Sequence, residues 1–428
     1  MIPRNGRNSS NDVPGLPARR AALSALLSLS RDGLPVAETL GRDHSLDPRD
    51  HALALQIATT TVRWMLLLDH HLAPFLRSAT SEDLLWVLRL TVAQIHILDR
   101  VPAHAAVDLG VRLAQEVAGE GAGGFANAVL RRAAHNPVHR PTGEDAESFS
   151  LRYSHPRWLV ERWLAQHGPD TTRAMLKAGN VEPALWVRVR PGTMDLPWDP
   201  SQVLESAHDG LFVKPDVQRD HVLESAAFVR GDLSLQDPSS GAVALALAPH
   251  LKPGMVLVDL CAAPGGKISC LRDVGALEGV RTIAIDRSAF RQRRTLEGFR
   301  RRGIHAMVAA ADGNRPPLRP GCADVVLVDA PCSNLGVLSR RPEALWRASP
   351  QDIAAHAKDQ SELLKSALKL VRPGGIVVYS VCSTEPEECA GVADFLWDDS
   401  ELLSHSLRLP GEGGWDGFYS VAARLPSA

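Results

Sequence analysis

The strongest constraint on the fold is a series of short apolar runs in the C-terminal half of the chain, each followed by a polar motif. These runs read as strands, and segments of helical character separate most of them. They are Met255–Leu260, Thr282–Ile285, His305–Ala309, Asp324–Val328, Ile376–Ser380 and Phe418–Ala423. The alternation predicts an α/β domain with a mostly parallel, doubly wound sheet, which binds ligands beyond the carboxyl ends of its strands.

The preceding part of the chain predicts different structure. Apolar residues recur at three- and four-residue spacing in Ala21–Leu29, Leu53–Leu67, Leu84–Leu98 and Ala105–Val117, and a further helix contains Phe125–Arg132. The Gly119–Gly124 run reads as a break between helices. We therefore predict a disordered tail at 1–18, an all-α domain at 19–140, a small α+β connector at 141–230 and the α/β domain at 231–428.

Composition excludes several classes of protein. The six cysteines all lie between Cys261 and Cys389 without a CxxC pair, so we expect free thiols in a reducing cytoplasm and no metal site. The first residues lack the apolar core of a signal peptide, and no run of about 18 apolar residues predicts a membrane span. The formal net charge is −2, yet eight arginines face two acids between Arg281 and Arg302. That stretch is either a phosphate-attracting surface or an ordinary solvated helix face.

The first strand leads into the segment Asp259–Lys267, which contains two glycines. Gly265 and Gly266 permit a tight turn and a close approach of backbone to ligand. The segment is not a phosphate-binding P-loop, because Cys261 replaces its first glycine and Ile268 follows the lysine. The dinucleotide fingerprint GxGxxG is absent as well, which argues against a nicotinamide oxidoreductase.

Acidic residues follow the next strands. Asp286 ends the second strand, where a carboxylate could take both hydroxyls of a ribose, and Asp312 follows the third, within reach of an adenine amino group. Aspartate is also a common cap at strand ends, so one such residue is weak evidence. Acids in register on successive strands predict an adenosine-type cofactor along this edge of the sheet.

Two cysteines lie at the ends of the fourth and fifth strands. Cys332 follows Asp329, and Cys382 follows Tyr379, whereas the other four cysteines read as small buried hydrophobic residues. The C5 atom of cytosine is too weak a nucleophile to take a methyl group unaided, and a thiolate that adds at C6 activates it. An acid near N3, such as Asp329, would stabilise the adduct, and a base must then remove the C5 proton.

These motifs resemble the RNA 5-methylcytosine methyltransferases. The segments that carry the resemblance are Asp259–Lys267, Asp329–Ser333, Gly336–Leu338, Arg340–Glu343, Tyr379–Ser383 and Glu385–Glu388, with Gln236–Ser240, Gln360–Leu364, Arg372–Gly375 and Asp416–Tyr419. The helical domain resembles the antiterminator NusB, and Tyr153–Trp158 looks like the segment that follows it. This arrangement is that of the Sun/Fmu/RsmB group, so the resemblance implies a Rossmann-like class I methyltransferase domain, S-adenosylmethionine as cofactor and small-subunit (16S) rRNA as partner. We also expect a monomer.

The resemblance assigns roles to individual residues. It implies that Cys382 attacks C6 and that Cys332 assists elimination, with Asp329 as the third catalytic residue. The residues that it assigns to the cofactor are Cys261, Ala262, Ala263, Pro264, Gly265, Gly266, Lys267, Asp286, Asp312 and Asp329. Asn334 replaces the usual glycine after the first cysteine motif, and asparagine tolerates left-handed backbone.

Two rival functions stay open at this point. The same chemistry could act on tRNA or on another rRNA, because only the NusB-like domain favours small-subunit rRNA. Alternatively, the chain could be an RNA-binding or regulatory protein with an inactive methyltransferase domain, although both cysteine motifs are intact.

Overall fold

The computed structural model describes residues 13–76, 80–396 and 400–427. The chain divides into two compact units, which meet in sequence between Asn180 and Val181. Of the predicted tail, residues 1–12 lie outside the described part of the chain, and the first helix begins at Leu16. The predicted domain boundaries at 140 and 230 stay predictions.

The first unit is helical, as the spacing of apolar residues predicts. Its helices are α1 (Leu16–Asp32), α2 (Val36–Leu40), α3 (Pro48–Arg63), α4 (Met65–Leu72), α5 (Glu82–His96), α6 (Ala103–Ala118), α7 (Gly121–His135), α8 (Ala146–Tyr153) and α9 (Arg157–Asn180). Leu26, Ile57, Leu88 and Leu130 from four of these helices are completely buried. Gly168, with φ 74°, interrupts α9 and divides it into two helical arms.

The predicted break at the Gly119–Gly124 run is confirmed but is shorter than the run. It separates α6, which ends at Ala118, from α7, which already begins at Gly121. Packing explains the glycine at position 123, because a Cβ there would lie 2.9 Å from Cγ of Gln115 on α6. The helices approach closely at this point, and tertiary packing outweighs the low helix propensity of glycine.

The second unit begins with a small antiparallel sheet. Its strands are β1 (Val187–Val189), β2 (Val203–Ala207), β3 (Phe212–Pro215) and β4 (Leu233–Leu235), in the order β2-β3-β1-β4. Helices α10 (Arg219–Leu223) and α11 (Ala226–Arg230) lie between β3 and β4. The segment predicted as a connector thus contributes α8 and α9 to the first unit and β1–β3 to the second.

The remainder of the second unit contains a seven-stranded sheet. Its strands are β5 (Val256–Asp259), β6 (Arg281–Asp286), β7 (Ala306–Ala310), β8 (Ala323–Asp329), β9 (Val371–Val381), β10 (Glu401–Arg408) and β11 (Phe418–Arg424). Strands β9, β8, β5, β6 and β7 are neighbours in that order and run parallel, whereas β11 and β10 continue the sheet antiparallel from β9. The order reverses on either side of β5, which makes this the expected place for a ligand.

Helices accompany this sheet, as its parallel strands require. They are α12 (Pro238–Leu247), α13 (Gly266–Asp273), α14 (Ala289–Arg302), α15 (Ala344–Arg347), α16 (Pro350–Leu370) and α17 (Ala390–Ala393). Alternate residues of the central strands enter two different apolar clusters: Val326 and Val328 of β8 lie in one, and Val325 and Leu327 in the other. The α/β fold and all six predicted strands are confirmed. Sequence patterning missed β10, an edge strand whose side chains are mostly exposed.

A buried ion pair ties the small sheet to the seven-stranded domain. The guanidinium of Arg188 on β1 lies 2.8 Å from the carboxylate of Asp273 on α13, and both side chains are almost completely inaccessible to solvent. The same guanidinium donates to Ser234 and to the carbonyl of Gly266, at the start of α13. The small sheet therefore supports α13, the helix that begins at the end of the predicted cofactor loop.

Candidate active site

The predicted cofactor loop connects β5 to α13 at the carboxyl edge of the sheet. Its turn forms where Gly265 N–H donates to Ala262 O at 2.6 Å, and Gly265 has φ 91°, in the left-handed region. A Cβ at Gly265 would lie 2.6 Å from the ring of Phe299 on α14. Glycine is required at 265 both by the backbone conformation and by this close packing.

The two predicted ribose and adenine acids occupy adjacent strands. Asp286 ends β6 and is buried, and its carboxylate accepts the N–H groups of Ala263 at 3.3 Å and Ser288 at 2.9 Å. Asp312 lies just beyond Ala310, the parallel partner of Asp286 on β7, and is exposed. The structure thus joins Asp286 directly to the loop and places Asp312 one strand further along the same edge.

Lys267 is a buried cation held by three separate motifs. Its ammonium lies 2.5 Å from the Asp329 carboxylate at the end of β8 and 3.5 Å from Ser240 Oγ. It also lies 5.1 Å from the centre of the Phe418 ring. Ser380 on β9 donates its hydroxyl to the other oxygen of Asp329 at 2.8 Å. These contacts hold Asp329, the predicted catalytic carboxylate, beside the predicted cofactor loop and beside the strands that lead to the two cysteines.

The structure brings the two predicted cysteines into direct contact. Strands β8 and β9 pair with Asp329 opposite Ser380, so the loops that follow them leave the sheet side by side. The sulfur atoms of Cys332 and Cys382 lie 3.0 Å apart as free thiols. This contact is close enough for one thiol to assist a reaction at the other.

Asn334 holds the loop that carries Cys332. It has φ 62°, in the left-handed region that asparagine tolerates. Its side-chain amide donates to the carbonyl of Cys332 at 2.8 Å, and its carbonyl oxygen accepts from the Cys382 thiol at 3.4 Å. Because Cys382 donates to Asn334, Cys332 is the donor in the contact between the two sulfurs.

The two thiols differ in accessibility. Cys332 is 5% exposed, whereas Cys382 is only partly buried. The hydrogen bond to Cys382, followed by burial, raises the pKa of the Cys332 thiol well above its usual range. Cys332 is therefore held protonated, and Cys382 is the more accessible of the two residues.

Two further polar groups reach this site without having been predicted to take part. Arg340 lies 3.1 Å from the carboxylate of Asp237 and 2.6 Å from that of Asp416, and it joins three of the recognised motifs. Burial, followed by the charge of Asp237, raises the pKa of Asp416 to about 6.

Glu388 is the second group, and it hydrogen bonds to the serines that follow both cysteines. All of these residues stand in the quoted motifs, but their spacing gave no sign of their partners.

Neither a membrane helix nor a metal cluster occurs in the part of the chain that the structure describes. No helix there is long and apolar enough to cross a membrane, and no group of three or more His, Cys, Asp or Glu side chains could hold a metal ion. The cytoplasmic location and the monomeric state stay predictions.

Family models match three parts of the chain. The model described as 16S rRNA methyltransferase RsmB/F matches residues 244–415. The NusB family model matches residues 16–135, and a ferredoxin-like domain model of RsmF/B-like methyltransferases matches residues 155–195. The order of these matches is the order expected from the sequence.

Individual proteins match over most of the chain. The chain is 36% identical to "Putative methyltransferase MT1451" of Mycobacterium tuberculosis, over 89% of this chain and 86% of that protein. It is 31% identical to "Ribosomal RNA small subunit methyltransferase B" of Vibrio cholerae, over 94% of this chain and 96% of that protein. The crystal structure of PH0851 superposes with a TM-score of 0.78 at 21% identity, over 97% and 99%. The crystal structure of NSun6 from Pyrococcus horikoshii with SFG superposes with a TM-score of 0.51 at 20% identity, over 64% of this chain and 99% of that chain.

The buried carboxyl group of Asp259, at the end of β5, predicts a pH-dependent stability. Burial, followed by the charge of Asp329, raises the pKa of Asp259 to about 7. Because the folded pKa exceeds the unfolded value, the protonated group stabilises the fold at low pH, and this contribution is lost as the pH rises toward 7. We expect Asp259→Asn to remove that loss, which amounts to at most about 1.4 kcal/mol per pH unit.

The measurement is urea unfolding of the unliganded protein and the variant at intervals from pH 4.5 to 7.5. The variant should gain stability relative to the parent as the pH rises. The raised pKa of Asp416 falls in the same range but is present in both proteins, so it cancels in the difference. Parallel stability profiles would show that Asp259 ionises normally in the fold.

Proposed function

The chain belongs to the RsmB/F family of 16S rRNA methyltransferases, and on this premise we propose that it methylates C5 of a cytosine in 16S rRNA through a covalent bond between Cys382 and C6. It is an S-adenosylmethionine-dependent RNA methyltransferase of the class I fold. The observation that carries the proposal is the contact of an accessible thiol with a buried, protonated one at 3.0 Å.

The residues at the carboxyl edge fit S-adenosylmethionine. The loop from Cys261 to Lys267 turns tightly enough for its backbone to approach a ligand, and Asp286 offers a carboxylate already fixed by two backbone N–H groups. Asp312, exposed just beyond the next strand, accepts the N–H of Asn314 at 3.0 Å and is proposed to meet the adenine. Asp329, paired with Lys267, precedes the Cys332 loop. When bound there, S-adenosylmethionine supplies an electrophilic methyl group.

The side chains of the chain then divide the chemistry among them. The Cys382 sulfur, as thiolate, forms a bond to C6 of the cytosine, and the electron pair of the C5–C6 double bond activates C5 to take the methyl group. N3 of the cytosine takes the proton that the Cys382 thiol releases, and the Asp329 carboxylate stabilises the adduct by accepting a hydrogen bond from the N3–H group. Water then takes the C5 proton, the C5–H electron pair re-forms the C5–C6 double bond, and the C6–S bond breaks. Cys332, whose S–H already points to Cys382, assists this release by donating to the departing sulfur.

Replacement of each cysteine by alanine should distinguish the roles of the two thiols. With 16S rRNA and S-adenosylmethionine, Cys332→Ala should form the covalent bond and transfer the methyl group but release product slowly. It should accumulate as a protein–RNA band that survives denaturing electrophoresis. Cys382→Ala and the double variant should give no band, because the attacking thiol is missing. A band from Cys382→Ala alone would reverse the assignment.

The same gel tests the substrate. Parallel reactions with large-subunit rRNA and tRNA should give no band with Cys332→Ala, and bisulfite sequencing of the 16S rRNA should find one protected cytosine. A band on tRNA or large-subunit rRNA alone would show that the chain serves the same chemistry on another RNA.

Asp286 should contribute strongly to cofactor affinity. We expect Asp286→Ala to weaken S-adenosylmethionine binding at least about tenfold, since hydrogen bonds to a charged group are worth roughly 1.5–3 kcal/mol. Isothermal titration of the unreacted enzyme measures this directly. Asp324→Ala, at the amino end of β8, is the control and should bind the cofactor normally. Equal affinity of Asp286→Ala and parent would place the cofactor elsewhere.

We propose that residues 19–140 select the RNA and add nothing to the chemistry. The support is the NusB match and the pair of exposed arginines, Arg131 and Arg132, at the end of α7. The double variant R131A/R132A should raise KM for 16S rRNA several-fold and leave kcat unchanged, because phosphate contacts contribute to binding alone. The control R49A/R100A, with the same change of charge on exposed residues of the same unit, should match the parent. Equal KM for both double variants would contradict the proposal.

A further inference from the structure

A buried carboxylate lies beneath the two catalytic loops. Glu388 stands six residues after Cys382, in the segment between β9 and α17, and its exposure is 0%. No step of the proposed reaction uses it. A buried carboxylate is costly unless several donors compensate for the lost water, so its partners show what holds it there.

Glu388 accepts four hydrogen bonds. One oxygen accepts the N–H of Ser333 at 2.8 Å and the side-chain amide of Gln360 at 3.1 Å. The other accepts the hydroxyls of Ser333 and Ser383, each at 2.5 Å. Four donors and no acceptor match an ionised carboxylate. Ser333 follows Cys332 directly and Ser383 follows Cys382, so one group binds both loops next to their thiols.

A second layer fixes the carboxylate in turn. The amide of Gln360 on α16 also donates to the carbonyl of Pro331 at 2.9 Å. The hydroxyl of Tyr379 on β9 donates to the backbone carbonyl of Glu388 at 2.6 Å and lies 3.1 Å from the Gln360 oxygen. The network therefore connects the strand, the helix and both loops, and its polar groups are shielded from water.

We propose that Glu388 is a positioning residue for both thiols: it sets the separation and direction of Cys332 and Cys382 without touching the substrate. This inference rests on the proposed function, since it assigns a role within that reaction. Pairing of β8 with β9 brings the loops together but does not fix them, because both thiols lie beyond the paired residues. Reaction geometry is sensitive to such placement, and a misplacement of about 1 Å can cost about 10²-fold in rate.

Three substitutions distinguish positioning from a need for charge. Glu388→Gln keeps the length and one carbonyl oxygen for the Ser333 N–H, and its amide group can donate to serine hydroxyls, which can turn and accept. Glu388→Asp keeps the charge but is shorter by one methylene group, and Glu388→Ala removes every bond. We expect Glu388→Gln to retain most of the activity, whereas the other two should lose about 10²-fold in kcat.

The decisive readout is the rate at which the covalent band appears. In the Cys332→Ala background this rate reports attack by Cys382 alone. Adding Glu388→Ala should slow the appearance of the band about 10²-fold while the affinity for S-adenosylmethionine stays unchanged. Assays are run well below the unfolding temperature of each variant, so that a loss of stability alone does not lower the rate.

Asp324→Ala is the matched control. Asp324 is also a largely buried carboxylate that joins two segments, through the N–H of Val256 at 2.7 Å and an ion pair with Arg372, but at the opposite edge of the sheet. The Asp324→Ala variant should have a lower unfolding temperature but an unchanged rate of band formation. If Glu388→Ala does not fold, the pair Ser333→Ala and Ser383→Ala replaces it, and each should slow the band by a smaller factor.

The outcomes separate the two proposals. If Cys332→Ala forms no band even with Glu388 intact, the proposed function fails. If it forms the band and Glu388→Ala, or both serine variants, form it at the same rate, the positioning role is overturned. Equal loss in Glu388→Gln and Glu388→Ala would also overturn it, because the charge itself would then be what the reaction needs.

Discussion

The chemistry of this protein depends on the parallel pairing of β8 with β9. In this register Asp329 lies opposite Ser380, and Ala330 N–H donates to the Ser380 carbonyl at 2.9 Å. The two loops that follow must therefore leave the sheet next to each other and at its ligand-binding edge. Two thiols that stand 50 positions apart in the sequence meet as a result. A shift of either strand by one residue would turn its side chains to the other face.

This arrangement buries several charged side chains at the edge of the sheet. Each of them is paired with a polar or oppositely charged group from a different segment. Lys267 is paired with Asp329, Arg340 with Asp237 and Asp416, and Glu388 with its ring of donors. An unpaired charge in such surroundings would destabilise the fold by several kcal/mol. The site and the fold are consequently formed together, since the partners meet only when the sheet is complete.

The two thiols are chemically alike, and their surroundings make them different. Cys332 is buried, remains protonated and directs its S–H toward Cys382, which is only partly buried. Asn334 occupies a left-handed turn and contacts both residues, so the replacement of glycine at this position adds two hydrogen bonds to the site. In the proposed reaction, this places the attacking thiol beside a fixed proton donor, which suits addition and elimination at one atom.

The sequence by itself determined the features that local patterns encode. Apolar runs located six of the seven strands of the large sheet, and Gly265 marked the turn between β5 and α13. The positions of the acids and cysteines after these strands placed them at one edge of the sheet. Only the tertiary structure decided the edge strand β10, the continuation of α7 into the glycine run, the 3.0 Å contact between the thiols and the partners of Glu388. The physical reason is sequence distance: Ser333 and Glu388 stand 55 positions apart, and the Arg340–Asp237 pair spans 103. Periodicity reports which face of an element is buried, but hydrogen bonds and ion pairs between remote segments exist only after those segments have packed.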